Sequence, residues 1–105
     1  MAAVSSEVLR AFEQAPSVLR GLRRGIEKES LRVSPDGTLS DRPHPAYLGS
    51  PLTHPHITTD FSEAQLELIT DVHDSPQGAV EQLEDVHRFV YRGIGDELMW
   101  TASMP

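Results

Sequence analysis

The chain has no cysteine, few basic residues and no long apolar run among its 105 residues. Without cysteine, it can form no disulfide framework, no thiolate zinc site and no cysteine nucleophile. Its apolar runs are only a few residues long, as at residues 98–100. A membrane-spanning helix needs roughly 20 apolar residues, and the apolar core of a signal peptide needs roughly 7–15. The sequence therefore predicts a cytoplasmic protein that makes no contact with a membrane.

Basic residues are outnumbered, because nine Lys and Arg accompany 16 Asp and Glu and leave a net charge of −7 with the five histidines neutral. No basic stripe runs along the chain, so it lacks the positive surface that binding to a phosphate backbone requires. We therefore expect no nucleic-acid partner. Residues 51–105 carry ten acidic and two basic side chains. We expect any cation site to draw mainly on this second half.

Two stretches combine helical spacing of apolar residues with capping residues. Ser5 and Ser6 precede a short apolar stripe that ends before Pro16, so residues 1–21 are predicted to form a helical lead-in. Ser75 can cap a longer helix with Pro76 at its first position. Apolar residues then continue at helical spacing as far as position 98. The second helix is therefore predicted over residues 75–98.

The intervening chain favours extended structure interrupted by one loop. Residues 22–33 lack a helical pattern and precede the turn-forming residues 34–37, which predicts a strand and hairpin over 22–39. Residues 40–56 hold four of the eight prolines and are predicted to be a loop. Residues 57–72 are predicted to contain strands at 57–59 and 66–70. Periodicity alone leaves a helix at 62–69 as an alternative.

The segment Gly25-Ile26-Glu27-Lys28-Glu29 is the most informative feature for chemistry. On a strand, Glu27 and Glu29 point to the same face, with side chains roughly 7 Å apart. Two such carboxylates repel each other unless a cation lies near them, and Mg²⁺ prefers one or two carboxylates together with substrate phosphates. The segment therefore suits a metal-nucleotide site. The alternative is a solvated strand face with no ligand.

Further acidic residues surround the next predicted strand. Asp60 and Glu63 precede it, and Glu67 lies between Leu66 and Leu68. An acid within an apolar strand is unusual, because burying it without a partner costs free energy. The alternative is that both leucines face the core while Glu67 faces water.

The histidines and the search for nucleotide-binding motifs give weaker evidence of function than the acidic residues do. His54 and His56 could present two imidazoles to a metal, but a third ligand is not evident, so a zinc site is not favoured. His87 lies on the apolar stripe of the predicted helix and is interpreted as a packed core histidine. Neither a P-loop nor a GxGxxG motif occurs, so no catalytic or nucleotide-binding residue is assigned.

Several blocks occur together in a specific order. They are RGIEKESLRV (24–33), PDGTL (35–39), LGSPLTH (48–54), ITTDFSEA (57–64), LELIT (66–70), GDE (95–97) and SMP (103–105). In this order and spacing they resemble the amino-terminal part of the proteobacterial glutamate-cysteine ligase family, over nearly the whole chain from about Pro16. One departure is Thr101, because a proline is expected directly after Trp100.

The resemblance implies an α+β fold, as part of a glutamine-synthetase-like catalytic domain with antiparallel strands and flanking helices. It also implies that residues 1–105 are the amino-terminal portion of one larger catalytic domain, inactive alone. The implied enzyme uses ATP to phosphorylate the γ-carboxylate of L-glutamate and joins it to the amine of L-cysteine, the first step of glutathione biosynthesis. The implied metal is Mg²⁺ or Mn²⁺, and the matching acidic positions are Glu27, Glu29, Asp60 and Glu67.

Arg24, Lys28 and Arg32 fall on the opposite parity from the acids. They are interpreted as structural residues or as contacts to segments outside this chain. The competing hypothesis for the whole chain is a free-standing acidic binding module. In that case the two glutamates form a solvated face and the helix at 75–98 docks a partner, with no metal or nucleotide.

Overall fold

An antiparallel four-stranded sheet organises the chain, which is described here over residues 3–104 by a computed structural model. Met1 and Ala2, at the start of the predicted lead-in, and Pro105, at the end of the last family block, lie outside the described residues. The strands are β1 (Glu27–Val33), β2 (Ile57–Thr59), β3 (Gln65–Ile69) and β4 (Leu98–Met99). Their order in the sheet is β2-β3-β1-β4. With two helices, this is the predicted α+β class.

The strands fall close to their predicted positions. Residues 65–69 form β3, so the helical alternative for 62–69 is wrong. The first strand begins at Glu27 rather than at position 22, and only a single bridge between Arg24 and His73 precedes it. The later start follows from pairing, because a strand extends only as far as a neighbour supplies hydrogen bonds.

The predicted hairpin at 34–39 is a tight turn with little pairing beyond it. The backbone N–H of Ser34 donates to the Thr38 carbonyl over 2.8 Å, and that of Gly37 donates to the Ser34 carbonyl over 2.8 Å. Gly37 has φ of 86°, a conformation that glycine adopts without steric cost. Past the turn only Leu39 bridges back to Val33. The loop over 40–56 then contains one short 3₁₀ turn at Ala46–Leu48.

Both helices begin where the sequence predicts. Helix α1 (Ser6–Gln14) is capped by Ser5, whose hydroxyl accepts from the Val8 N–H, and a 3₁₀ turn at Pro16–Leu19 follows it. Helix α2 (Pro76–Gly93) is capped by Ser75, whose hydroxyl accepts from the Gly78 N–H. Neither helix in residues 3–104 is long and apolar enough to cross a membrane.

Helix α2 ends earlier than predicted, at Gly93 instead of position 98. A Cβ atom at Gly93 would overlap the ring of Tyr47, and Gly95 adopts a left-handed φ of 63°. These two glycines end the helix and turn the chain, so that Leu98 forms β4 instead. After the helix, Ile94 and Met99 are buried in the core, whereas Leu98 is exposed, so the apolar spacing that reached Leu98 did not mark a buried helical face.

The core lies between α2 and one face of the sheet. Leu66 and Leu68 of β3 are buried there, together with Val86 and Val90 of α2. Side chains alternate between the two faces of a strand. Glu67 therefore projects from the opposite face, away from α2.

A buried ion pair ties the strand β1 to three other segments. Arg32 is completely buried and donates to Oε1 of Glu97 over 2.7 Å. The same guanidinium donates to the Ser40 hydroxyl (3.3 Å) and to the backbone carbonyls of Arg42 (2.9 Å) and Glu63 (3.1 Å). These contacts agree with the interpretation of Arg32 as a structural residue. They also anchor the turn that follows β2.

Candidate metal centre

Strands β1 and β3 bring three acids to one face of the sheet. Their antiparallel register pairs Glu29 with Glu67 and Glu27 with Ile69. Since residues two apart share a face, Glu27 and Glu29 lie on the same side as Glu67. This is the arrangement that the sequence predicts for a strand, and it requires the pairing of β1 with β3.

Asp60 joins the acids from the turn that connects β2 to β3. Glu29, Asp60 and Glu67 each offer a carboxylate oxygen, and these three oxygens lie within 4.8 Å of one another. We call these three residues the acidic trio. Glu29 and Asp60 are exposed, and Glu67 is half-buried. A single cation could therefore contact all three from the solvent side.

Glu27 lies beside the acidic trio on the same face of the sheet. Its negative charge helps to raise the pKa of the Glu67 carboxyl. The largest cause of the raised pKa of Glu67 is its partial burial, and the charges of Asp60 and Glu29 add smaller contributions. The trio plus Glu27 therefore comprises the four acids predicted from the sequence.

None of these four carboxylates forms a salt bridge with a Lys or Arg of residues 3–104. The nearby basic residues serve elsewhere. Lys28 reaches the Ser30 hydroxyl and Nε2 of His87, each over 2.8 Å, and Arg24 donates to the Asp74 carbonyl over 3.1 Å. These contacts agree with a structural interpretation of both residues.

Gln65 is a site residue that the sequence reasoning missed. Its side-chain amide donates to Oε2 of Glu29 and to the Ser103 carbonyl, each over 3.2 Å. Its side-chain oxygen accepts from the backbone N–H of Phe61 over 3.1 Å. Gln65 is two residues from Glu67 on the same strand. This spacing predicts that both side chains share one face of the sheet, and it was the signal available in the sequence.

The histidines do not form a second metal site among the described residues, where only the acidic trio brings three such ligands together. Nδ1 of His54 accepts from the backbone N–H groups of His56 and Ile57, each over 3.0 Å. Nδ1 of His56 lies 2.9 Å from the Ile69 carbonyl. One ring nitrogen of each residue is therefore committed to holding the loop.

His87 is not the apolar core histidine that its position on the stripe predicted. It is half-buried and contacts the ammonium group of Lys28 instead. Burial lowers the pKa of His87, and the charge of Lys28 lowers it further. The neutral imidazole therefore accepts a hydrogen bond from Lys28.

The chemistry of the trio fits a hard divalent cation. Carboxylate oxygens are the ligands that Mg²⁺ and Mn²⁺ prefer, and the exposed side of the trio leaves room for phosphate oxygens and water. Three clustered negative charges without a basic partner also favour a cation on electrostatic grounds. The four acids are therefore the residues that could hold such an ion.

Comparison with known proteins places these residues in a family context. Residues 8–105 match the family model described as glutamate-cysteine ligase. The chain is 54% identical over 100 residues to a glutamate–cysteine ligase of Edwardsiella ictaluri, which covers 95% of this chain and 19% of that protein. It is 58% identical over 91 residues to one of Alcanivorax borkumensis, covering 87% and 17%.

Solved structures agree with the sequence matches. A glutamate–cysteine ligase of Francisella tularensis in complex with AMP superposes with a TM-score of 0.76 at 45% identity, covering 79% of this chain and 17% of that one. A bifunctional glutathione synthetase of Pasteurella multocida gives a TM-score of 0.79 at 38% identity, covering 91% and 13%. The chain spans less than a fifth of the length of these relatives. Because the family match extends from residue 8 to residue 105, the chain belongs to the glutamate-cysteine ligase family.

Proposed function

We propose that the chain is the amino-terminal part of an ATP-dependent ligase that joins the γ-carboxylate of L-glutamate to the amine of L-cysteine. The reaction would proceed through γ-glutamyl phosphate and would be the first step of glutathione biosynthesis. The observation that carries the proposal is the cluster of Glu27, Glu29, Asp60 and Glu67 on one sheet face of a chain in this family. We assign the enzyme to the cytoplasm, where ATP is available.

Two properties of the relatives support the co-substrate and the product. The matched relatives carry the name glutamate–cysteine ligase, and the Francisella tularensis structure contains AMP. An adenine nucleotide in that structure supports ATP as the phosphoryl donor. We propose that further residues of the active site, including those that select cysteine, belong to the remainder of a larger catalytic domain.

The four acids would hold Mg²⁺ or Mn²⁺. When bound, such an ion supplies positive charge that offsets the negative charge on the transferring phosphoryl group. The chain itself contributes rigid placement. Glu27 and Glu29 are fixed by β1, Glu67 by β3 and Asp60 by the turn between β2 and β3. Precise positioning of this kind lowers the entropic cost of bringing the reacting groups together.

The test is Glu27→Gln in the full-length protein, which keeps the shape of the side chain but removes its charge. We expect ligase turnover to fall by orders of magnitude while thermal stability changes little. Lys28→Gln is the matched control, because Lys28 belongs to the same strand but contacts His87 on the other face, and it should reduce turnover much less. Near-normal turnover of Glu27→Gln at saturating Mg²⁺ would refute the assignment.

A further inference from the structure

Gln65 connects two members of the acidic trio although it carries no charge. Its amide donates to Glu29, and its side-chain oxygen accepts from the backbone of Phe61, directly after Asp60. Its main chain also closes this turn, because the Gln65 carbonyl accepts from the Asp60 N–H over 3.2 Å. One side chain and its backbone therefore hold both Glu29 and the segment that carries Asp60.

The orientation of the Gln65 amide follows from its neighbours. The Phe61 N–H can only donate, whereas the carboxylate of Glu29 and the carbonyl of Ser103 can only accept. Reversing the amide would bring its oxygen towards two acceptors and its NH₂ group towards a donor. Gln65 is also only 3% exposed, so water does not replace these partners. The amide therefore points in one direction.

A neutral donor suits this position better than a basic one. Carboxylates that repel each other turn towards solvent unless something holds them, and Glu29 is exposed. A Lys or Arg at position 65 would hold Glu29 but would also cancel the charge that attracts a cation. The amide of Gln65 restrains the carboxylate and leaves its charge available.

We infer that Gln65 is a positioning residue for the divalent cation: it fixes the carboxylate of Glu29 and the turn bearing Asp60 in the arrangement that binds the ion. The inference rests on the proposed function of the acidic trio as a metal site. Nothing in it requires Gln65 to touch the ion or a substrate. Hydrogen-bond partners of ligating carboxylates typically change metal affinity by roughly 10–100-fold when removed.

The test measures Mn²⁺ binding to the full-length protein, with no substrate present, from the electron paramagnetic resonance signal of free Mn²⁺. Gln65→Met keeps most of the volume and removes all three side-chain hydrogen bonds. We expect it to weaken binding by about tenfold. In a double-mutant cycle, Gln65→Met should have a smaller further effect once Glu29→Gln has removed the carboxylate charge, because only the contact of Gln65 with the turn bearing Asp60 then remains to be lost. A purely structural role would lower the melting temperature and leave Mn²⁺ affinity unchanged.

A second variant tests the inference if Gln65→Met fails to fold. Gln65→Asn is one methylene shorter, so its amide falls short of Glu29 while the side chain stays polar, and it should also weaken Mn²⁺ binding. The inference is wrong if either folded variant binds Mn²⁺ like the unmodified protein, or if both variants fail to fold. If Glu29→Gln itself leaves Mn²⁺ binding unchanged, the proposed metal site is wrong. If Glu29→Gln loses Mn²⁺ binding and the Gln65 variants keep it, only the role of Gln65 is rejected.

Discussion

Removing one charge from the acidic trio should stabilise the metal-free protein and weaken its response to metal. Glu67 is the member to change, because it lies opposite Glu29 and near Asp60, and the charge of Glu27 also raises its pKa. The substitution Glu67→Gln keeps the size of the side chain. Without a cation, it relieves repulsion from three neighbouring carboxylates. With a cation, it removes a ligand charge.

The distances set the size of the effect. Two unit charges about 4–5 Å apart interact by roughly 1 kcal/mol in water-like surroundings, and the trio's oxygens lie within 4.8 Å of one another. Repulsion from Glu29 and Asp60 together therefore costs up to about 2 kcal/mol, and salt reduces this. We expect Glu67→Gln to raise the free energy of unfolding of the metal-free protein by about 1–2 kcal/mol. Bound Mg²⁺ offsets this repulsion. A ligand that binds only the folded protein stabilises it by about 2.7 kcal/mol at 100 times its dissociation constant.

The assay is thermal unfolding of the full-length protein in EDTA and in saturating Mg²⁺. Glu67→Gln should melt above the unmodified protein in EDTA and gain less from Mg²⁺. The matched control is Glu84→Gln, an exposed acid of α2 that pairs with Arg88 over 2.6 Å. It should lose about 0.2–1 kcal/mol at most and keep the full response to Mg²⁺. A lower melting temperature of Glu67→Gln in EDTA, with an unchanged response to Mg²⁺, would refute the electrostatic reasoning.

Two further predictions concern the helix side of the sheet. Arg32→Met should lower the free energy of unfolding in urea by about 3–5 kcal/mol, because it leaves Glu97 buried without its partner. Adding Glu97→Leu should recover much of this loss. An equal or greater loss in the double variant would contradict the prediction. The pKa of His87 is lowered from 6.5 in the folded protein, so folding favours the neutral imidazole. The contribution of His87 to stability is therefore present above pH 6.5 and is lost as pH falls through the lowered pKa. The pH dependence of the melting temperature between about pH 5 and 7 should be flatter in His87→Gln, and an unchanged slope would count against the assignment.

Local features of the fold could be predicted from the sequence because they depend on neighbouring residues. Ser5 and Ser75 cap helices by accepting from N–H groups three residues later, and this chemistry is visible in the sequence itself. The shared face of Glu27 and Glu29 likewise follows from the period of a strand. Their grouping with Asp60 and Glu67 came from the family resemblance, since pairing between β1 and β3 is not encoded in either strand alone.

The remaining features depend on contacts between distant segments. Arg32 meets Glu97 across 65 positions, and no spacing rule relates them. The end of α2 depends on the ring of Tyr47 lying against Gly93, which the helical pattern does not contain. Gln65 was overlooked because an amide carries no charge. Its importance appears only when Glu29 lies beside it on the neighbouring strand.

Strand β1 separates charges of opposite sign onto opposite faces of the sheet. Glu27 and Glu29 lie on the face that carries the acidic trio, whereas Lys28 and Arg32 contact residues on the other side. The basic residues therefore cannot neutralise the acids, although they are adjacent in the sequence. A cluster of unpaired carboxylates is unfavourable for folding by itself, so the fold gains from the cluster only when a cation binds. The same alternation that builds the core on one face thus places on the other face the acids that we propose hold a divalent ion.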